Sequence, residues 1–218
     1  MFKNFSLLSF LLLGSIILSA QSIPIPNGYK ILSSAKGDLD NDAKQELAVI
    51  YHTNEEDGVP GEIIIYQNKK GVWQKWLSSK QAIYGSIMSG MFGDPNTQVF
   101  IQNGILKLEA RGKETSGSWN IKDEYRLQGD NLYLIRFESS FFNACELDEK
   151  IEYDSKLGML KLKVIYPACE AEERDKAEVL EESFFKSIPR ISLEGRREKE
   201  IIINSPKHNY EIILSGGI

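Results

Sequence analysis

Short segments rich in β-branched and aromatic residues recur along the chain, and clusters of Gly, Asn and Asp separate them. This spacing is typical of antiparallel β structure. The segments are 47–52, 62–67, 97–102, 105–109, 118–127, 132–138, 150–154, 159–166, 200–203 and 210–214. They predict an all-β fold of mainly antiparallel hairpins, arranged as a sandwich or an open, barrel-like sheet. We expect one β-rich domain over residues 21–218, because no linker-like stretch divides them.

The turn residues also predict strand register. Asn103-Gly104 is a strong signal for a two-residue hairpin turn, because both central positions of that turn need a positive φ. Pairing across this turn sets Ile101 opposite Leu106, so apolar side chains share one face of the hairpin.

A second turn, at 128–131, sets Tyr125 opposite Leu134 and Asp123 opposite Arg136. The latter pair would place opposite charges across the two strands, an arrangement that stabilises a sheet by about 0.2–1 kcal/mol.

A third hairpin closes over residues 155–158 and sets Ile151 opposite Leu162. This register brings Cys145 within one residue of Cys169. Residues 1–20 resemble a secretory signal, and in an exported chain two cysteines favour a disulfide between them; two free thiols at strand ends are the alternative.

Residues 170–182 have a different composition, with many acids and few β-branched side chains. They predict a short exposed helix or an acidic loop.

The N-terminus carries the features of a secretory signal. Lys3 precedes an apolar run from Phe5 to Leu18, and small residues end at Ala20. The run is shorter than the roughly 20 apolar residues that span a bilayer, so we expect cleavage after residues 1–20. Gln21 follows where a lipoprotein would have Cys, which predicts a secreted or periplasmic protein without a lipid anchor and without membrane insertion after cleavage.

Net charge excludes one class of partner. The chain has 31 Asp and Glu against 26 Lys and Arg, a formal net charge of −5. Nucleic acid is therefore not an expected partner, since phosphate binding needs a basic surface. A protein or a glycan is a better candidate ligand, and Trp73, Trp76 and Trp119 are either a stacking surface for it or half-buried core.

Residues 37–50 contain the only stretch with evident chemistry. Its acids alternate directly before a strand, at Asp38, Asp40 and Asp42, and Glu46 follows. Alternating carboxylates in a tight loop can converge on one hard cation, and Ca²⁺ takes six to eight oxygen ligands. A polar turn with solvated acids is the simpler alternative.

This stretch resembles the calcium loop of FG-GAP and VCBS-type repeats, whose pattern is Gly-Asp-x-Asp/Asn-x-Asp-Gly-x-x-Asp before apolar residues. The resemblance implies a structural Ca²⁺ held by Asp38, Asp40, Asp42 and Glu46. Ala43 stands where the family usually has Gly, and Glu46 replaces an Asp. The loop occurs once, which argues against a closed propeller, since propellers repeat their blades.

The order of motifs along the chain also resembles a group of uncharacterised secreted bacterial proteins. It runs from the acidic loop through 91–95 and 101–106 to the Trp119 strand and the strand after residue 131. This resemblance implies the same β-rich architecture and no particular activity.

The inventory for catalysis is small. His52 and His208 are the two histidines, and no Gly-x-Ser-x-Gly elbow or zinc-binding spacing accompanies them. We therefore expect a non-enzymatic exported binding or structural module. The alternatives are a secreted hydrolase that uses two carboxylates, and an interaction partner of another exported protein.

Overall fold

A computed structural model gives the fold and describes residues 22–52, 61–84, 96–113, 116–167 and 177–215. Its strands form three antiparallel sheets, and the described residues contain no helix. The first sheet contains β1 (Lys30–Gly37), β2 (Glu46–His52), β3 (Gly61–Lys69) and β4 (Val72–Ser79). The second contains β5 (Asn96–Gln102), β6 (Ile105–Lys113), β7 (Gly117–Gln128), β8 (Asn131–Asn143), β9 (Leu147–Asp154), β10 (Met159–Tyr166) and β11 (Glu178–Phe185). A separate hairpin contains β12 (Ile201–Asn204) and β13 (Glu211–Ser215).

Within each sheet, consecutive strands of the sequence pair with each other, so both large sheets are meanders. The predicted all-β fold of antiparallel hairpins is confirmed. None of the sheets in the described ranges closes into a barrel or a propeller.

The predicted hairpin registers are confirmed with one exception. Ile101 lies opposite Leu106, and Ile151 lies opposite Leu162. Tyr125 also lies opposite Leu134, but the register shifts between Glu124 and Tyr125.

The predicted pair between Asp123 and Arg136 is therefore wrong. The bulge moves Glu124 opposite Arg136 and sets Asp123 opposite Phe137. The extra residue is Ile135 of β8, so the shift exchanges the faces of β8. Phe137 instead of Arg136 therefore shares the apolar face on which Asp123 alternates with Trp119 and Tyr125.

The prediction of a helix or loop for the acidic segment 170–182 is also corrected in part. Its C-terminal portion, Glu178–Glu182, belongs to β11 and pairs with β10, where Val164 lies opposite Leu180. Strand pairing with a neighbouring segment has overridden the weak local preference. Residues 168–176, and with them most of the predicted helix, lie outside the described residues.

One hydrophobic core joins the three sheets. It includes Ile50 and Ile65 of the first sheet, Leu106 of the second and Ile212 of the hairpin, all fully buried. The two large sheets meet at β1 and β5, where a Cβ at Gly37 would lie only 2.4 Å from the Cγ2 atom of Ile101. Glycine at position 37 therefore permits the close approach of the two strands.

The first sheet is buried on both faces at its centre. Residues Glu46 to Tyr51 of β2 are all buried, although successive side chains point to opposite faces. Ile23 and Tyr29, which precede β1, cover the outer face together with Trp73. Tyr29 donates a hydrogen bond to Glu62 at 2.9 Å, which ties this N-terminal segment to β3.

Candidate metal centre

The acidic loop lies between β1 and β2, and its own carboxylates shape it. Asp38 accepts hydrogen bonds from the backbone N–H groups of Asn41, at 2.6 Å, and Ala43, at 2.9 Å. Asp40 accepts one from the N–H of Asp42 at 3.1 Å. Such side-chain to backbone bonds hold a tight turn without any regular secondary structure.

Two residues of the loop have left-handed backbone. Asn41 has a φ of 62° and Ala43 a φ of 65°. Asn tolerates this region, whereas Ala does so at a cost of about 1–2 kcal/mol. Ala43 is the position at which FG-GAP and VCBS-type loops usually have Gly.

Three of the four predicted ligands come together. One carboxylate oxygen from each of Asp38, Asp40 and Asp42 lies within 4.8 Å of the others. Asp38 and Asp40 are half-buried, and Asp42 is exposed. These are hard oxygen donors on one side of a short loop, which is the donor set that Ca²⁺ prefers.

A cation of the protein itself lies at this cluster. The Nζ atom of Lys44 is 2.5 Å from Oδ2 of Asp42. Its hydrogen bond lowers the pKa of Asp42, and the same bond raises the pKa of Lys44. Lys44 therefore offsets part of the mutual repulsion among the three acids.

Glu46 is placed differently from the other three acids. It is only 3% exposed, and its Oε2 accepts a hydrogen bond from the N–H of Leu39 at 2.7 Å. Burial raises its pKa, the Leu39 bond opposes that rise, and the nearby aspartates add to it. Glu46 thus closes the base of the loop, and its role as a metal ligand stays a prediction.

The loop rests against the Asn103-Gly104 turn of the second sheet. A Cβ at Gly104 would lie 3.2 Å from the Oδ1 atom of Asn41. Asp40, Asn41, Asn103 and Gly104 line one shallow cavity. The loop therefore bridges the two large sheets close to where β1 meets β5.

The disulfide predicted between Cys145 and Cys169 stays a prediction. Cys145 lies in the turn between β8 and β9 with a φ of 68°. Cys169 lies outside the described residues, as does the predicted signal segment 1–20.

The tryptophans do not form one surface. Trp119 is 7% exposed in the main core. Trp76 packs against the same core, and Trp73 packs against the outer cluster of the first sheet. The expectation of half-buried core describes them better than a shared stacking surface.

Sequence reasoning missed a buried polar network centred on Arg196. Its guanidinium forms two hydrogen bonds with Asp123, from Nε at 2.7 Å and from Nη2 at 3.0 Å. It also donates to the hydroxyl of Tyr84 at 3.1 Å and to the carbonyl of Leu214 at 2.6 Å. Tyr125 donates to the same carboxylate at 2.9 Å.

One signal for this network was present in the sequence. In β7, Asp123 alternates with Trp119, Ile121 and Tyr125, so it stands on an apolar face. Nothing marked its partner, since Arg196 lies in a charge-rich stretch that reads as exposed.

Comparison with known protein families and with characterised proteins finds no match to this chain. No helix in the described residues is long and apolar enough to cross a membrane.

Proposed function

We propose that this chain is an exported, non-enzymatic β module whose acidic loop binds one structural Ca²⁺. The observation that carries the proposal is the convergence of Asp38, Asp40 and Asp42 within 4.8 Å of one another. Three carboxylates this close repel one another, and a divalent cation removes that repulsion.

The position of the loop supports a structural role for the ion. The loop joins β1 to β2 and contacts the turn between β5 and β6. An ion held there would stabilise the junction of the two large sheets. The export signal predicted for residues 1–20 would deliver the protein to a compartment where calcium is plentiful.

A calcium titration followed by thermal unfolding tests the proposal. We expect the melting temperature to rise as calcium reaches millimolar concentrations and to fall again with chelator, because a ligand that binds only the folded state stabilises it. Asp38→Asn and Asp40→Asn should abolish the rise. Asp130→Asn, in the exposed turn between β7 and β8, is the matched control and should leave it intact. A melting temperature that calcium does not change would refute the proposal.

The two alternatives have weaker support. A carboxylate-dependent hydrolase needs an acid that is free to exchange protons, and the most buried aspartate, Asp123, is held in a salt bridge by Arg196. An interaction surface has its best basis at the edge strand β11, where Val179 is 51% and Phe185 74% exposed.

A further inference from the structure

A cavity of about 430 Å³ lies between the β12–β13 hairpin and one face of β7, β8 and β9. Cavities of roughly 300–1,000 Å³ are the usual size for small-molecule sites. Nine of its sixteen lining residues are aromatic or aliphatic, and the other seven are polar, three of them serines.

Strand register arranges the sheet side of the cavity in three rows. The first row is Trp119, Phe141 and Glu149, since Trp119 pairs with Phe141 and Phe141 with Glu149. Two residues further along each strand, the second row is Ile121, Ser139 and Ile151. The third row holds Asp123 and Phe137. The first and third rows are four residues apart along β7, about 13 Å at 3.3 Å per residue.

The polar groups at the third row are already satisfied within the protein. Arg196 is bonded to Asp123, Tyr84 and the carbonyl of Leu214. Arg197 donates to the backbone carbonyls of Gln81 and Ile83. Neither guanidinium is therefore directed at a ligand, and this end of the cavity does not select an anion.

The first row is different, because the carboxylate of Glu149 can accept further hydrogen bonds. Within the described part of the chain, the hydroxyl of Tyr210 is the one hydrogen-bond donor to the Glu149 carboxylate. An ionised carboxylate accepts about four hydrogen bonds. Glu149, Phe141 and Tyr210 are half-buried, so this end remains open to solvent.

Two aromatic residues flank that carboxylate. Phe141 lies opposite Glu149 on the neighbouring strand, and Tyr210, directly before β13, reaches it with its hydroxyl. Trp119 also lines the cavity, but it lies one strand further away, with its indole over Gly112 of β6. Aromatic faces next to one carboxylate attract a cation through both the ring quadrupoles and the charge.

We propose that this end of the cavity binds an organic ammonium group, with Glu149 as counter-ion and Phe141 and Tyr210 as the aromatic walls. A quaternary or methylated ammonium needs few hydrogen bonds and gains from contact with rings. The inference names a ligand class for the binding module proposed above, and it does not depend on the calcium loop.

Isothermal titration of the full exported chain with choline tests the inference. The neutral isostere 3,3-dimethyl-1-butanol is the matched probe, because it has the same shape without the charge. We expect saturable binding of choline and at least about tenfold weaker binding of the alcohol, equivalent to the roughly 1.4 kcal/mol that separates a tenfold change in affinity.

Two variants on β9 localise the site. Glu149→Gln keeps the shape of the side chain and should weaken choline binding by about tenfold or more. Glu152 lies on the opposite face of the same strand, so Glu152→Gln is the matched control and should bind choline as the wild type does. If Glu149→Gln destabilises the fold, Phe141→Leu tests the same end of the cavity and should also weaken binding.

Three results would overturn the inference: no saturable choline binding up to about 10 mM, well above the usual range for a specific site; equal affinity for the two probes; or equal loss in both glutamate variants. The titration is run with calcium and with chelator. Failure of the choline site is therefore distinguishable from failure of the calcium proposal, which the thermal shift reports separately.

Discussion

Arg196 and Asp123 form a two-bonded salt bridge across 73 residues of sequence, and each is only 1% exposed. Burial lowers the pKa of Arg196, but Asp123, Tyr84 and Tyr125 together outweigh burial and raise the pKa well above its ordinary value. Burial also raises the pKa values of Tyr84 and Tyr125, so both stay neutral. Tyr84 accepts a hydrogen bond from Arg196, and Tyr125 donates one to Asp123. The network ties the segment before β12 to β7.

Breaking one side of this pair should destabilise the protein strongly. We expect Asp123→Asn or Arg196→Met to lower the free energy of unfolding by about 3–5 kcal/mol, because each leaves a buried partner without its counter-charge. Urea denaturation measures the loss. The double variant should lose less than the sum of the two single variants, because the residues act as a unit.

An exposed pair on the same sheet is the control. Arg136 and Asp154 are 3.4 Å apart, and their side chains are 49% and 27% exposed. Arg136→Met should change stability by no more than about 1 kcal/mol. Equal losses of stability on breaking the Arg196–Asp123 and Arg136–Asp154 pairs would contradict the argument that burial makes the first pair costlier to break.

The strained alanine of the acidic loop gives a second prediction. Ala43 has a φ of 65°, so Ala43→Gly should stabilise the protein by about 0.5–1 kcal/mol, the relief of left-handed strain less the added flexibility of the unfolded chain. Thermal unfolding without calcium measures it. Asn41→Gly should gain less, because Asn tolerates the φ of 62° it has at present. A loss of stability in Ala43→Gly would show that the strain argument is wrong.

Lys44 gives a third prediction, on calcium affinity. Its ammonium is bonded to Asp42 and competes with any cation at the cluster. We expect Lys44→Met to tighten calcium binding by about two- to fivefold, the range that corresponds to an exposed ion pair. Calorimetric titration measures this, with Lys113→Met on β6 as a distant control. Weaker calcium binding in Lys44→Met would contradict the competition.

The pH dependence of stability gives a fourth prediction. Burial raises the pKa of Glu149 above its ordinary value of 4.5, and the bond from Tyr210 opposes part of that rise. The folded state therefore binds this proton more tightly than the unfolded chain. The stability that this proton adds is fully present below the ordinary pKa of Glu149, and it is lost as pH rises through the pKa of Glu149 in the folded state.

Thermal unfolding from pH 4 upward measures this effect. Relative to Glu149→Gln, the wild type should lose stability as pH rises. Glu152 should behave in the opposite way, because a hydrogen bond from Lys150 lowers its pKa. Its contribution is present above the ordinary pKa and is lost as pH falls, as a comparison with Glu152→Gln would show. If the wild type, Glu149→Gln and Glu152→Gln showed parallel curves of stability against pH, the pKa directions of both Glu149 and Glu152 would be contradicted.

Much of the fold follows from local patterns. Alternating apolar residues and the Asn103-Gly104 turn specify the β5–β6 hairpin, because the period of a strand and the chemistry of its turn are both local. The acidic loop was equally recognisable, since Asp38, Asp40 and Asp42 are close in sequence and their side chains bond to nearby backbone. Ala43, which stands where FG-GAP and VCBS-type loops usually have Gly, has the left-handed backbone that Gly favours.

Features that depend on contacts between distant segments could not be predicted from local patterns. The bulge at Ile135 of β8 replaces Arg136, the expected partner of Asp123, by Phe137, and Arg196, far along the chain, supplies the counter-charge of the buried carboxylate instead. Glu46 stays a predicted ligand, but its burial and its bond from the Leu39 amide depend on packing that the loop sequence does not show.

The sequence by itself thus determined an antiparallel β protein, most of its hairpin registers and one acidic loop, because each of these depends on neighbours within a few residues. The tertiary structure alone decided that Glu178–Phe185 is a strand and that Arg196 and Asp123 are buried together. It also placed Tyr210 against Glu149 across a cavity. Those outcomes depend on which distant segments pack together, and burial then fixes the energetic cost or gain of each polar group.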